Sequence, residues 1–263
     1  MIKSMEKDLK LSKRLTAIAG MVGVGSPDGR RPEGEYCLCD VGTDHAHIPI
    51  RLLMDGVIDC AIAMDVIEGP LGKARENTER YCVPDKIELR LSDGLDAYHP
   101  GEARGLVIAG MGGRIMSRIL LREPVKTLDF EELILQPQAD PEYVRRALRE
   151  LGLGIDREKI VLEDNKYYPV IHVTHSPTKG PVWGKTEDVL LRDAEDLFGP
   201  VLIRERDSML RSYLLWQKGV NDRILHSLGR AADSGSAIQE KKAQILRKEE
   251  LIRAALDYFD TNE

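Results

Sequence analysis

The chain has 263 residues, 42% hydrophobic and 31% charged, with a formal net charge of −6. Those proportions suit a globular core of ordinary size, and no run approaches the roughly 20 apolar residues that span a bilayer. The acidic balance argues weakly against a nucleic-acid partner, yet the first 31 residues carry seven Lys and Arg against three acids. Such a basic arm can meet phosphates or simply line a solvated helix.

The N-terminal stretch alternates charged and apolar residues without an apolar core, so a secretory leader is not expected. The four cysteines, Cys37, Cys39, Cys60 and Cys82, include no C-x-x-C pair. Reduced, buried thiols in a cytoplasmic protein are the expectation.

Residues 5–21 read as an amphipathic helix carrying Leu9, Leu11, Leu15, Ile18 and Met21 at helical spacing. The run GVGSPDGRRPEGE breaks it. From Tyr36 onward, short apolar runs alternate with helical stretches. Strands are expected at YCLCDV, DCAIAMDV, IELRLSD, GLVIAG and ELILQPQ. Helices are expected at 47–54, 69–81, 111–121 and 140–151. KIVLED and YYPVIHVTH, parted at Asn165, read as an antiparallel pair. Alternating strands and helices imply a doubly wound, mostly parallel sheet. The closing hairpin makes seven strands, an ending typical of class I methyltransferases by fold-level analogy. The run SPTKGPVWGK at 176–185 is a linker by composition. Beyond it, 186–229 and 237–259 read as two helices of a coiled-coil-like hairpin. Leu210, Leu214, Val220, Ile224 and Leu228 stripe the first, and Ile245, Ile252, Leu256 and Phe259 the second. The domains are therefore expected at 1–177 and 184–263.

Ligands of open α/β sheets bind at the carboxyl ends of the strands. There the run CLCDVGTDHAHIP at 37–49 places Asp40, Gly42 and Asp44 in or beside a strand-to-helix turn. Gly42 permits close backbone approach. Carboxylates here would repel phosphates but suit the ammonium of a zwitterionic, phosphate-free cofactor, for which S-adenosyl-L-methionine is the expectation. The spacing Asp44, His45, His47 could also hold a metal, but no second ligand cluster follows, so no metal is expected. His45 could instead cap the next helix or pack beneath it.

Asp65 ends the second strand, about 20 residues after the glycine turn, where an acid accepts from ribose hydroxyls; it could equally cap a helix. LSDGL brings Ser92, Asp93 and Gly94 to the end of the third strand, with Asp93 a candidate acceptor for an adenine amino group, or simply a turn residue. VIAGMGGRIM imitates a dinucleotide fingerprint but has Ile115 where the last glycine is required. Its Ala109, Gly110, Met111, Gly112 and Gly113 leave room for a bulky planar base and offer no base catalyst. In LQPQ, Gln136 and Gln138 could hydrogen-bond a nucleobase edge, or be an ordinary polar loop.

Together KLSKRL, DVGTDHAHIP, the Asp65–Val66–Ile67–Glu68–Gly69–Pro70 run, LSDGL, IAGMGG and ILQPQ resemble the TrmK family, bacterial tRNA methyltransferases acting on N1 of adenine 22. Thr43, His47 and Gln138 depart from the family forms DIGSDHAY and QPN. The resemblance implies S-adenosyl-L-methionine as donor and tRNA as substrate. It places the cofactor on Asp40, Gly42, Asp65, Val66, Ser92, Asp93, Gly94, Ala109, Gly110 and Met111. It places the substrate on Lys10, Arg14, Gly112, Gly113, Gln136 and Gln138, and catalysis on Asp44 and His45. Arg204, Arg206, Arg211 and Lys218 in the helical tail would face the tRNA backbone. N1 of adenine carries a lone pair and no proton, so no base is needed, and a carboxylate would stabilise the cationic product. A monomer or homodimer is expected. Rival readings are a methyltransferase of another RNA or of a small molecule, and a non-catalytic Rossmann-like binding module.

Overall fold

A computed structural model describes residues 9–23, 34–175, 188–230 and 235–260. The expected breaks at 23–35 and 176–185 and the turn between the tail helices fall largely outside the described residues. The chain divides into two units, Met1–Val182 and Trp183–Glu263.

The first unit is built on one sheet of seven strands among the described residues: β1 (Cys37–Val41), β2 (Cys60–Asp65), β3 (Ile87–Leu91), β4 (Gly105–Met111), β5 (Glu132–Pro137), β6 (Ile155–Glu163) and β7 (Lys166–Thr174). Their order is β3-β2-β1-β4-β5-β7-β6. β1 to β5 run parallel, and β7 lies antiparallel between β5 and β6. This is the seven-stranded Rossmann-like arrangement anticipated from the alternating pattern.

The central strands carry unbroken apolar runs because helices cover both their faces. Residues pointing to one face, among them Leu38, Ala63, Val107, Ile134 and Val170, form a cluster with Ile18, Ile50, Leu52 and Ala74. These come from α1 (Lys13–Ala19), α2 (His47–Met54) and α3 (Glu68–Arg80). The alternate residues Cys39, Ile62, Leu106 and Leu133 point the other way and are equally buried. That side holds α4 (Gly113–Arg122), the short α5 (Pro124–Thr127) and α6 (Pro141–Glu150), with Met116, Leu120, Val144 and Leu148 inside.

Two local details matter for function. β4 has a register irregularity between Ala109 and Met111, with Gly110 at φ 80°. Such a bulge re-aims the chain at a strand end. The β6–β7 hairpin turns on Asp164 and Asn165, at φ 48° and 58°, the left-handed pair that a two-residue hairpin demands. Of the helix expected at 5–21, residues 5–8 lie outside the described residues, and from residue 9 on the helix spans only Lys13–Ala19, where Ser12 accepts from the Leu15 N–H.

The second unit corrects the expected single helix at 186–229. It is α7 (Val189–Phe198), α8 (Pro200–Arg204) and α9 (Ser208–Arg230), followed by α10 (Ser236–Asp260). Gly199 at φ 112° and the following proline end α7, since proline cannot continue the preceding turn. Arg206 at φ 52° ends α8, and Asp207 accepts from the Leu210 N–H to start α9. Leu210, Leu214, Ile245 and Ile252 of the expected stripes are buried, whereas Ile224 is exposed. The hairpin carries a polar contact: buried Asn221 donates to Glu249 at 2.6 Å. Among the described residues no helix is long and apolar enough to cross a membrane.

Candidate functional site

The carboxyl ends of β1, β2 and β4 converge where the strand order reverses, between β1 and β4. Asp40, next to the last residue of β1, is 3% exposed, and burial raises its carboxyl to about 6. The Thr43 hydroxyl opposes that shift by donating to Asp40 Oδ2 at 2.6 Å, while the nearby Asp65 charge adds to it. The turn after β1 is anchored on β2, the Gly42 and Thr43 N–H groups both donating to the Met64 carbonyl.

Gly42 stands at φ 75°, and a Cβ there would lie 2.8 Å from Met111 Cε. The Met111 methyl could shift aside, but the left-handed φ favours glycine at this turn. Asp44 and Ala46 are also left-handed, at φ 51° and 57°. Such conformations in non-glycine residues cost on the order of 1 kcal/mol or more each and cluster at ligand sites. Three contacts impose them. The Asp44 N–H donates to Asp65 Oδ2 at 3.3 Å, the Ala46 N–H to the Thr43 carbonyl, and Asn77 Nδ2 to the His45 carbonyl at 3.0 Å.

Asp65 therefore has two tasks. Its Oδ2 holds Asp44, and its Oδ1 accepts from the Ile67 N–H at 3.0 Å. Lone pairs remain on both oxygens for a ribose. Val66 and Ile67, both 60% exposed, follow it as an uncovered apolar edge.

Asp44 is exposed. His45 Nε2 lies 3.5 Å from Asp44 Oδ1, and the His45 ring stacks on His47 with centroids 5.3 Å apart. Burial and the neighbouring His45 hold His47 below the usual imidazole range. His45 does not cap α2, whose N-cap is Ala46 without a side-chain bond. Among the described residues no three His, Cys, Asp or Glu side chains are disposed around a metal site.

At the end of β3, Ser92 is buried and shapes the turn by donating to the Gly94 carbonyl and accepting from the Ala97 N–H. Gly94, at φ 62°, would place a Cβ 3.0 Å from Ile119. The Asp93 carboxylate is exposed and tied to Arg122 at 2.8 Å, which lowers its pKa. Arg122 also holds Asp96 at 2.6 Å. One Asp93 oxygen is thus committed to protein, which sequence reasoning missed.

Beyond the bulge, Gly112 caps α4. Gly113 packs so tightly that a Cβ would meet the Asp140 carbonyl oxygen at 2.0 Å, and its N–H donates to the Ala139 carbonyl. The loop after β4 is therefore fastened to the segment after β5. Gln138 is exposed there, its N–H donating to the Met111 carbonyl. Gln136, expected at a nucleobase edge, is fully buried instead. Its amide is engaged on both sides: Oε1 accepts from Arg14 at 2.7 Å, and Nε2 donates to the Pro137 carbonyl at 2.8 Å. Lys10 is exposed ahead of α1.

Asn77, Arg122, Glu163 and Tyr168 support these groups and were not singled out in the sequence, and Thr43 was noted only as a departure from the family form. A buried carboxylate beside a tight glycine turn, with an acid at the next strand end, fits a ligand bearing an ammonium and a ribose, whereas the Gly42, Thr43, Asp44 and Ala46 N–H groups are already engaged within the protein.

The comparisons agree with that chemistry. The methyltransferase-domain family matches residues 11–171. A Bacillus subtilis (strain 168) tRNA (adenine(22)-N(1))-methyltransferase is 29% identical over 251 residues, covering 95% of this chain and 99% of its own. The crystal structure of the B. subtilis m1A22 tRNA methyltransferase TrmK is similar with a TM-score of 0.75 at 26% identity, over 95% of this chain and 100% of that one. Sp1610 of Streptococcus pneumoniae, a candidate tRNA (m1A22) methyltransferase solved in complex with S-adenosyl-L-methionine, has a TM-score of 0.72 at 31% identity. It covers 94% of this chain and 100% of its own.

Proposed function

The chain belongs to the methyltransferase-domain family and to its TrmK branch, and from that premise we propose that it transfers a methyl group from S-adenosyl-L-methionine to N1 of adenine 22 in tRNA. The observation that carries the reading is the Asp40–Gly42–Asp65 frame at the switch point of the sheet, with a glycine-rich loop, not a base catalyst, on the methyl side.

S-adenosyl-L-methionine, when bound, supplies an activated methyl on a sulfonium. The chain's own residues do the rest. Asp40 offers a buried carboxylate to an ammonium, and the turn at Gly42 lets the backbone come close. Asp65 offers its remaining lone pairs to ribose hydroxyls, with Val66 beside it. Ser92, Gly94 and the Asp93 carboxylate frame the adenine side. Ala109, Gly110 and Met111 line the transfer path.

Adenine N1 attacks with its own lone pair, so no residue must first remove a proton. Rate then comes from in-line positioning and from charge. The ring becomes cationic, and Asp44, held above Asp65 with its carboxylate exposed, is the group to stabilise it, with His45 beside it. The target base must leave its stack to reach this pocket. Gln138, Gly112 and Gly113 border the space it would enter. Lys10, with exposed Arg204, Arg211 and Lys218 on the second unit, would meet RNA phosphates. A cytoplasmic location follows from that substrate.

The test is methyl transfer to unmodified tRNA, mapped by primer extension, because N1 methylation blocks pairing and stops the primer. A stop at position 22 is expected. Absence of any stop in the D-arm, with methyl transfer intact, would redirect the reading to another RNA.

A further inference from the structure

We propose that Arg14 is an oxyanion-binding residue of the methyl-transfer pocket, aimed by Gln136, Glu163 and Tyr168, and that its ligand is a carboxylate or phosphodiester of one of the two substrates. This rests on the methyl-transfer reading above; the family resemblance names Arg14 only as a substrate residue, without the group it binds or what aims it.

The position is the first argument. A Cβ on Gly110 would lie 3.9 Å from Arg14 Nη1 and 3.7 Å from Gln138 Nε2. The guanidinium thus reaches the bulge at the end of β4, where the methyl-side loop begins. α1 supplies a charge to a site whose other groups come from the sheet.

The second argument is how it is held. Nη1 donates to Gln136 Oε1 at 2.7 Å, and Gln136 is itself immobile, fully buried with Nε2 bound to the Pro137 carbonyl. The guanidinium carbon lies 5.5 Å from the Tyr168 ring centroid, an aromatic contact that restrains the plane while leaving edge donors available. Glu163 is mostly occupied with the start of α1. Its Oε1 accepts from the Arg14 N–H and its Oε2 from the Ser12 hydroxyl, both at 3.2 Å. From Arg14 Nε it stands 3.8 Å away, beyond hydrogen-bond distance. Three elements therefore fix one side chain. Yet among the described residues only one of its five N–H donors makes a hydrogen bond.

The third argument is chemical. The reaction places a positive charge on the adenine ring, so a guanidinium aimed at N1 would oppose it. Arg14 already pairs with Glu163 on its Nε side, at 3.8 Å, and its remaining edge donors suit a second anion rather than the adenine ring. The reactants offer two kinds, the carboxylate of the methyl donor and the phosphodiesters of the RNA. Both suit a planar, multi-donor cation.

Gln136 and Glu163 are positioning residues on this account. Gln136→Leu keeps the volume and removes the acceptor, leaving Arg14 charged but unaimed. Arg14→Ala removes the charge, and Arg14→Lys keeps the charge without the fork. Affinity for S-adenosyl-L-methionine would be read by calorimetry. Affinity for unmodified tRNA would be read across a salt series, using the full chain. A carboxylate ligand predicts that Arg14→Ala weakens donor binding about tenfold with the salt slope for tRNA unchanged. A phosphodiester ligand predicts donor binding unchanged and the tRNA salt slope shallower by about one. In either case Gln136→Leu weakens the same ligand, Arg14→Lys restores part of it, and Gln136→Leu adds nothing in the Arg14→Ala background. If Arg14→Ala leaves donor affinity, tRNA affinity and salt slope all unchanged while the melting temperature falls, Arg14 is a strut and the proposal is overturned. Should Gln136→Leu fail to fold, the Arg14 variants decide alone. A wild-type chain that methylates no tRNA would defeat the functional reading, while the donor-binding arm would still test Arg14.

Discussion

His172 Nε2 lies 2.7 Å from Glu132 Oε1, at a point where the imidazole is wholly buried between β5 and β6. On its other side, Nδ1 lies 2.8 Å from Asp156 Oδ1. Glu132 also accepts from the Tyr36 hydroxyl and from the Gly23 N–H, joining the start of the sheet to the end of the α1 segment.

Burial alone would lower the His172 pKa, but the bonds to Asp156 and Glu132 outweigh it and raise the value to about 9. The folded value is above the unfolded one, so the contribution to stability is fully present below about pH 6.5 and is lost as pH rises through 9. Its size is on the order of 3 kcal/mol. Urea midpoints between pH 6 and pH 10 should fall for the wild type and fall much less for His172→Gln, which starts from a lower value. Parallel profiles for the two proteins would show that the imidazolium pair contributes nothing specific.

Gly42→Ala should cripple donor binding while leaving the fold intact. The new methyl group meets Met111 Cε, and the residue is held at φ 75°. The left-handed conformation costs roughly 1–2 kcal/mol in an L-residue. A loss of donor affinity of at least about tenfold is expected by calorimetry. Adding Met111→Ala removes the clash but not the backbone strain, so the double variant should recover only part of the loss. Full recovery would mean that the conformation at Gly42 is unimportant.

The acids at the strand ends were legible in the sequence because each is coded locally. Asp40 and Asp65 directly follow apolar runs, Asp93 comes two residues after the alternating strand IELRL, and Gly42 follows Asp40 within two residues. Their partners were not legible, because they arrive from distant segments. Nothing near Arg14 announces Glu163 or Gln136, and nothing near Asp93 announces Arg122. Gln136 and Gln138 looked equivalent in LQPQ, but β5 continues through Pro137, so the strand buries the first and releases the second. The break between α7 and α8 was written in Gly199 and Pro200, but the apolar stripe that carried the helix reading starts only at Leu210 and does not bear on that stretch.

Asp44 and Asp65 should separate in a way the sequence alone did not predict. From position alone, Asp65→Ala should lose donor affinity and spare turnover. In the structure Asp65 also accepts from the Asp44 N–H and holds that residue in its left-handed conformation. Asp65→Ala should therefore lower both donor affinity and kcat. Asp44→Asn keeps the loop and removes only the charge, so kcat should fall about 10- to 100-fold, less than for a buried electrostatic stabiliser because Asp44 is exposed, with donor affinity within about twofold. Equal losses of affinity in the two variants would remove the division of roles.

Asp40 makes donor binding pH-dependent. Burial raises its carboxyl to about 6 in the free protein, against the pull of the Thr43 hydroxyl. An ammonium ligand prefers the ionised form, so affinity should be level above about pH 7 and fall as pH drops through 6. The limiting slope is about tenfold per pH unit. Thr43→Val removes the bond that favours the carboxylate, and the fall should then begin at higher pH. Asp40→Asn should bind weakly throughout, with no inflection in this range. Calorimetric titrations between pH 5 and pH 8 would measure all three, and an unchanged inflection in Asp40→Asn would assign the titration to another group.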